Sequence, residues 1–305
     1  MSGCPLPSLP PPPPPPPPPA ALHDSRSKKK FYQTIGFSRS PVEGDYTEPL
    51  LLISQRASSF SRNLRWTLVN KYVPSLIQDG PQCGLVALWM AAHLLGPPVD
   101  MHTLFGTALE RGFTAHGEMF SVGNMALLAE EVCGCKAEAL SGGLVRDNAT
   151  RIVAHLWSRQ PVLFPYDDDY NHEPCEREGH RAHWAVASGV LLGTDQGYVS
   201  TEPTQPDSTL PWIHLRGHSG FSSSLDSSHI REVYILAKQG KSLRYQLWSL
   251  DSIARSNKQL MEMAPQTRNN GTHYVLPMGG VEGGLAGEAL LLHKRRQLDG
   301  EACTQ

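Results

Sequence analysis

The longest apolar stretch of the chain is Cys83-Gly-Leu-Val-Ala-Leu-Trp-Met-Ala-Ala-His-Leu-Leu95. It is apolar nearly all round, which predicts a buried helix rather than one lying at the surface. Asp79-Gly80-Pro81 stands before it and Gly96-Pro97-Pro98 after it, and both are boundary signals. Three further helical patterns follow, near 100–111, 121–132 and 147–158, with Ser121 as a candidate cap for the second. Their stripes Met125–Leu128 and Ile152–Leu156 belong to the core, and His93 and His155 read as satisfied or partly exposed residues rather than ligands. Beyond residue 160 the pattern changes to short apolar runs. Pro161–Tyr166, His183–Leu192, Gly197–Thr201, Glu232–Ala237, Leu243–Trp248 and His273–Pro277 are expected strands. Helices first and strands afterwards make an α+β fold. The Ser-, Pro- and Gly-rich stretch 202–228 is expected to leave the sheet as a loop, and the glycines between 279 and 287 to form turns.

Residues 1–60 carry no sustained period, and composition explains why. Of 26 prolines, twelve fall in the first 19 residues, ten of them unbroken from Pro10 to Pro19. We read residues 1–60 as a mostly disordered tail and 61–305 as one globular body. The Pro10–Pro19 run is a polyproline II rod, which loses little entropy on docking and suits the aromatic grooves of SH3, WW or profilin-type domains. Charge excludes one large class: 27 Lys and Arg against 29 Asp and Glu leave a net −2, without the basic face of a general nucleic-acid binder. The basic clusters Arg26–Lys30 and His293–Arg296 are short and read as solvated surface. No stretch reaches the ~18 apolar residues of a membrane span, and prolines occupy the place of a secretory leader's apolar core. The six cysteines are therefore expected as reduced thiols in the cytosol.

Cys83 carries the candidate chemistry. At the first turn of a helix, aligned N–H dipoles favour a thiolate. Gly84 behind it would let a substrate backbone approach closely. Gln78, five residues earlier, could share an oxyanion hole with the Cys83 N–H. A nucleophilic cysteine needs a base, and His183 at the head of an apolar strand can supply one.

The segment Gln78-Asp-Gly-Pro-Gln-Cys83-Gly-Leu-Val-Ala-Leu-Trp-Met90 resembles the nucleophile helix of the papain-like cysteine peptidases, and among them the bacteriocin-leader (double-glycine) peptidase branch. Thr114–Ser121, Pro165–Cys175, Gly179–Ala185 and Lys238–Ser242 narrow the resemblance to actin-processing aminopeptidases of this type, over about residues 64–293. The resemblance implies a papain-like fold, with a helical N-terminal half whose buried nucleophile helix packs on a C-terminal antiparallel sheet. It implies a thiol aminopeptidase that removes an N-terminal, usually acetylated, Cys or Met from immature actin, with no metal or organic cofactor. Cys83 matches the nucleophile, His183 the general base and Gln78 the oxyanion position. The superfamily often places that Gln one residue further from the cysteine, which leaves neighbouring Gln82 as the substitute. The branch commonly has an Asp before a Pro on the strand after the histidine; here Glu202-Pro203 stands there, with Asp195 as the fallback. An acidic substrate terminus would favour a basic lip, for which Arg181 and Lys238 are candidates. The acidic run Asp167-Asp168-Asp169 sits awkwardly with such a lip.

Two other classes compete. His172, Cys175, His180 and His183 are all of ligand type and could hold a structural zinc, although this would take His183 from Cys83. Alternatively, the chain is a catalytically inactive scaffold that binds actin or profilin.

Overall fold

The computed structural model describes residues 43–177, 179–198, 203–217 and 225–295. Pro10–Pro19 lies outside them. One large sheet organises the body, and its central strand is β4, Ala182–Asp195. Twelve consecutive residues of β4 are buried, so its uninterrupted apolar run reflects cover on both faces. On one edge, β3 (Val162–Asp167) pairs antiparallel with the first half of β4 and β1 (Leu64–Asn70) with the second half. Gly189 stands at this handover, where a Cβ would lie 2.5 Å from the Val69 carbonyl. On the other edge β4 pairs antiparallel with β7, Ile230–Gln239, and β7 in turn with β8, Gln246–Ser249. β2 (Lys136–Leu140) and β9 (Ala289–His293) extend the sheet beyond β3. The short β5 (Thr204–Pro206) and β6 (Ile213–Arg216) extend it beyond β1, where β6 runs parallel.

Helices cover both faces. On one lie α2 (Cys83–Leu95), α3 (Met101–Glu110) and α4 (Val122–Cys133), packed against Leu68, Leu163, Val186 and Leu236. On the other lie α5 (Asp147–Trp157) and α6 (Leu250–Lys258), packed against Phe164, Ala185, Val190 and Ile235. The sequence places these helices well because their ends carry local chemistry. Asp100 accepts from Thr103 N, Ser121 from Asn124 N and Ser249 from Ser252 N, each capping a first turn. The short α7 (Pro265–Arg268) and α8 (Gly280–Leu285) follow, the latter within the glycines expected to form turns. No helix among the described residues is long and apolar enough to cross a membrane.

The structure corrects several expectations. The ordered body starts earlier than residue 61, with α1 at Thr47–Gln55. Its position is fixed from afar: Ile53 is buried, and the buried Glu48 carboxylate accepts from Tyr245 N at 3.0 Å. Such a helix has no strong local signature to read. The sheet also recruits β1 and β2 from the helical half and contains one parallel pair, so it is neither purely C-terminal nor purely antiparallel. His273–Pro277 is not a strand; Val275 N donates to Glu118 Oε1 at 3.0 Å instead of joining a ladder. Of Gly197–Thr201, residues 197 and 198 form no strand and the rest lie outside the described residues.

Candidate active site

Cys83 opens α2 and is buried, under the start of β4. The backbone N–H groups of Trp184 and Gly84 both face its sulfur, which sets the thiol against the backbone one residue after His183. Trp184 is itself locked, because its indole N–H donates to Met119 O at 2.8 Å. The thiol donates to Pro81 O at 3.9 Å, not to His183. Helix position alone suggested a stabilised thiolate, but burial dominates and pushes the Cys83 thiol up, against the two N–H groups and the nearby Lys241 cation.

His183 is also buried, with Tyr166 edge-on to its ring at 5.6 Å. Burial first and Lys241 second push the imidazole down to about 3, opposed by Asp168 and by the hydrogen bond with Gln239. Burial thus favours a neutral thiol at Cys83, and burial with Lys241 a neutral imidazole at His183. The ring's Nε2 lies 3.2 Å from Gln239 Oε1.

The expected carboxylate partners do not meet His183. Asp195 stands at the far end of the same strand, twelve residues on, roughly 40 Å away at the ~3.3 Å rise of extended chain. There its carboxylate is held by Arg231 at 2.8 and 2.6 Å. Glu202 lies outside the described residues. On the side away from β3, the His183 end of β4 is flanked by β7, which brings Gln239 opposite Ala185. β7 arrives only after the long connection that carries β5 and β6 into the sheet rather than leaving it as the expected loop. The signal that could have found Gln239 was antiparallel register counted from the end of β7, combined with the Lys238–Ser242 stretch.

The two glutamines separate clearly. Gln78 N donates to Gly240 O at 2.7 Å and its amide Nε2 to Gly80 O at 2.8 Å, which uses one of its two amide hydrogens. Its side chain lies on bare Gly240, where a Cβ would come 2.7 Å from Oε1. Gln78 is thus joined to the same turn as Gln239, whereas Gln82 packs on Gly117 in the 114–118 loop. Gly84 serves packing rather than substrate approach: a Cβ there would meet Met119 Cβ at 2.8 Å and Met125 Cε at 2.9 Å.

A cleft of about 240 Å³ opens beside His183, lined in part by Phe120, Asp168, Arg181, Lys241 and Met263. The acidic run builds its wall. Asp167 accepts from the backbone N–H groups of Arg177, Gly179 and Arg181, and so folds the 168–181 loop. Buried Asp168 meets Lys241 Nζ at 3.0 Å, His172 Nδ1 at 3.2 Å and Arg181 at 3.6 Å. Arg181 does line the cleft, but Lys238 is no lip residue: it is fully buried, and its ammonium donates to Val73 O at 2.7 Å and Ser75 Oγ at 2.9 Å. Lys238 thereby ties the segment leading to Gln78 and Cys83 onto β7. The proposed zinc ligands each take another partner, with His172 on Asp168, His180 on Glu262 and His183 on Gln239. Among the described residues, no group of three or more His, Cys, Asp or Glu side chains is arranged to hold a metal.

A cysteine that opens a buried helix and a histidine at the head of a central antiparallel strand stand where the resemblance to papain-like cysteine peptidases expects them. Residues 73–191 match the family described as "Actin maturation protease-like, C-terminal domain". The chain is 60% identical over 269 residues to the actin maturation protease of Danio rerio, covering 88% of this chain and 87% of that one. It is 49% identical over 271 residues to the protein of that name from Xenopus tropicalis, again covering 88% and 87%. To the Homo sapiens protein it is 47% identical over 260 residues, covering 83% and 73%. The chain belongs to the actin maturation protease family.

Proposed function

We propose that this chain removes an N-terminal, acetylated Cys or Met residue from immature actin through a thioester on Cys83. The observation that carries the reading is the Cys83 thiol held under the N–H of Trp184, the residue after His183, in a chain so similar to proteases named for actin maturation. The Cys83 thiol gives its proton to the His183 imidazole. The sulfur attacks the carbonyl between the acetylated leading residue and the next. The Gln78 amide, with its second N–H, and the Cys83 N–H receive the oxyanion. The imidazolium returns its proton to the departing amine, the new actin N-terminus. His183 then takes a proton from water, whose oxygen attacks the thioester and releases the acetyl-amino acid and the thiol. The proposed compartment is the cytosol, and the Pro10–Pro19 run recruits profilin or another polyproline-binding domain carrying that substrate.

The test is a mass-spectrometric readout of the actin N-terminus. Wild-type protein trims immature actin, whereas Cys83→Ala leaves it intact with an unchanged melting temperature. Full trimming by Cys83→Ala would refute the reading.

A further inference from the structure

We infer that Gln239 is the positioning residue of this peptidase, the group that fixes the orientation and tautomer of His183. The inference rests on the proposed roles of Cys83 and His183 and adds a member that neither carboxylate candidate supplies. Gln239 is buried at the end of β7, and two neighbours identify the atom it turns toward the imidazole. Lys241 N–H lies 2.6 Å from the Gln239 side-chain atom that also lies 3.2 Å from His183 Nε2. A backbone N–H can only donate, so that atom is the amide oxygen and not the amide nitrogen. An amide oxygen can only accept, so His183 Nε2 carries the ring hydrogen. The lone pair then sits on Nδ1, the nitrogen left to receive the thiol proton. In the opposite tautomer Nδ1 would carry a hydrogen and could not act as base without first losing it.

The turn Gln239–Lys241 is braced from several sides. Gly240 O accepts from Gln78 N, and Lys241 Nζ holds the buried Asp168 at 3.0 Å. The ionisable groups facing His183 are Lys241 on this turn, Tyr166 in β3, Asp168 just after it and His172 on the following loop, while Cys83 on α2 feels Lys241, Asp168 and Tyr166. An amide among them fixes the tautomer without adding negative charge. Burial and Lys241 then keep the imidazole neutral, whereas a carboxylate in place of the amide would favour the imidazolium.

Steady-state trimming of an actin N-terminal peptide tests the inference across pH, alongside the pH dependence of Cys83 alkylation by iodoacetamide. Gln239→Ala is expected to lower kcat about 10- to 100-fold, part of the ~10²–10⁴ typical of general acid–base catalysis, with KM unchanged. Gln239→Glu keeps an acceptor at Nε2 and is expected to recover most of that loss. Its negative charge favours the imidazolium, so the acid limb of both profiles moves to higher pH. Wild-type kcat and an unmoved acid limb in both variants, with Cys83→Ala and His183→Ala inactive, would overturn the inference and leave the nucleophile assignment standing. Equal losses in both variants, accompanied by a lowered melting temperature and an unmoved acid limb, would also overturn it, because Gln239 would then be structural only. Activity retained by Cys83→Ala would sink the underlying reading and this one with it.

Discussion

Gly84→Ala separates two meanings of the glycine that follows Cys83. If Gly84 exists to admit a substrate backbone, the added methyl lowers activity and leaves stability alone. The structure assigns it the opposite behaviour. Gly84 is buried, and a Cβ there would stand 2.8 Å from Met119 Cβ and 2.9 Å from Met125 Cε, both closer than carbon atoms normally approach. The Met125 methyl ends a flexible side chain and can swing aside. The Met119 Cβ is fixed to a backbone whose carbonyl holds Trp184, so α2 and the 114–121 loop must part by several tenths of an ångström. Overpacking of this kind costs about 1–3 kcal/mol, and in a domain of this size each kcal/mol lowers Tm by ~2–4 °C. A drop of roughly 2–12 °C follows from those two ranges. Thermal melts of the full chain measure it, with kcat/KM taken well below the transition. Combined with Met125→Ala, the loss should be smaller than the sum of the single losses, because the cavity of one accepts the methyl of the other. An unchanged Tm with kcat/KM lost would refute the packing argument and restore the substrate-approach reading.

Other consequences are equally direct. Gln78→Ala removes the proposed oxyanion donor and should lower kcat by ~10²–10³, while Gln82→Ala, which loses only its packing on Gly117, should stay within a few-fold; the reverse ranking in single-turnover assays would exchange their roles. Stability should fall on mild acidification. Burial, then neighbouring His293, pushes buried His155 down to about 4, and the unfolded chain takes up that proton near the ordinary value of 6.5. Above pH 7.5 neither state is protonated and there is no cost; below 6.5 only the unfolded state gains a proton until the folded value is reached, so stability decreases as pH falls. His155 contributes about 2 kcal/mol of this at pH 5, and His183 acts in the same direction. Urea midpoints equal at pH 7.5 and 5 would refute both assignments.

How much of this was legible depended on where the determining contact lies in the chain. α2 is recovered at Cys83–Leu95 because its apolar run and its Gly and Pro borders are local. The Ser121 cap and the His183 strand are local in the same sense. Glu48 reaches Tyr245 and Asp45 reaches Tyr72, so α1 was hidden in a stretch with no period of its own. The acidic run looked like an obstacle to an acidic substrate, because sequence counts charges but not their partners. In the fold Asp167 spends its carboxylate on backbone N–H groups and Asp168 on Lys241, His172 and Arg181.

By itself, then, the sequence determined the nucleophile and base candidates, Cys83 and His183, since each sits at an element end marked by its immediate neighbours. It also determined the alternation of buried helix and apolar strand that makes an α+β body. Only the tertiary structure decided what stands behind the histidine. That partner is chosen by register between β4 and β7, across an excursion whose length carries no pairing information, and the register delivers Gln239 rather than Asp195. It likewise decided that burial favours the neutral forms of Cys83 and His183, because desolvation depends on what covers a residue and not on what precedes it.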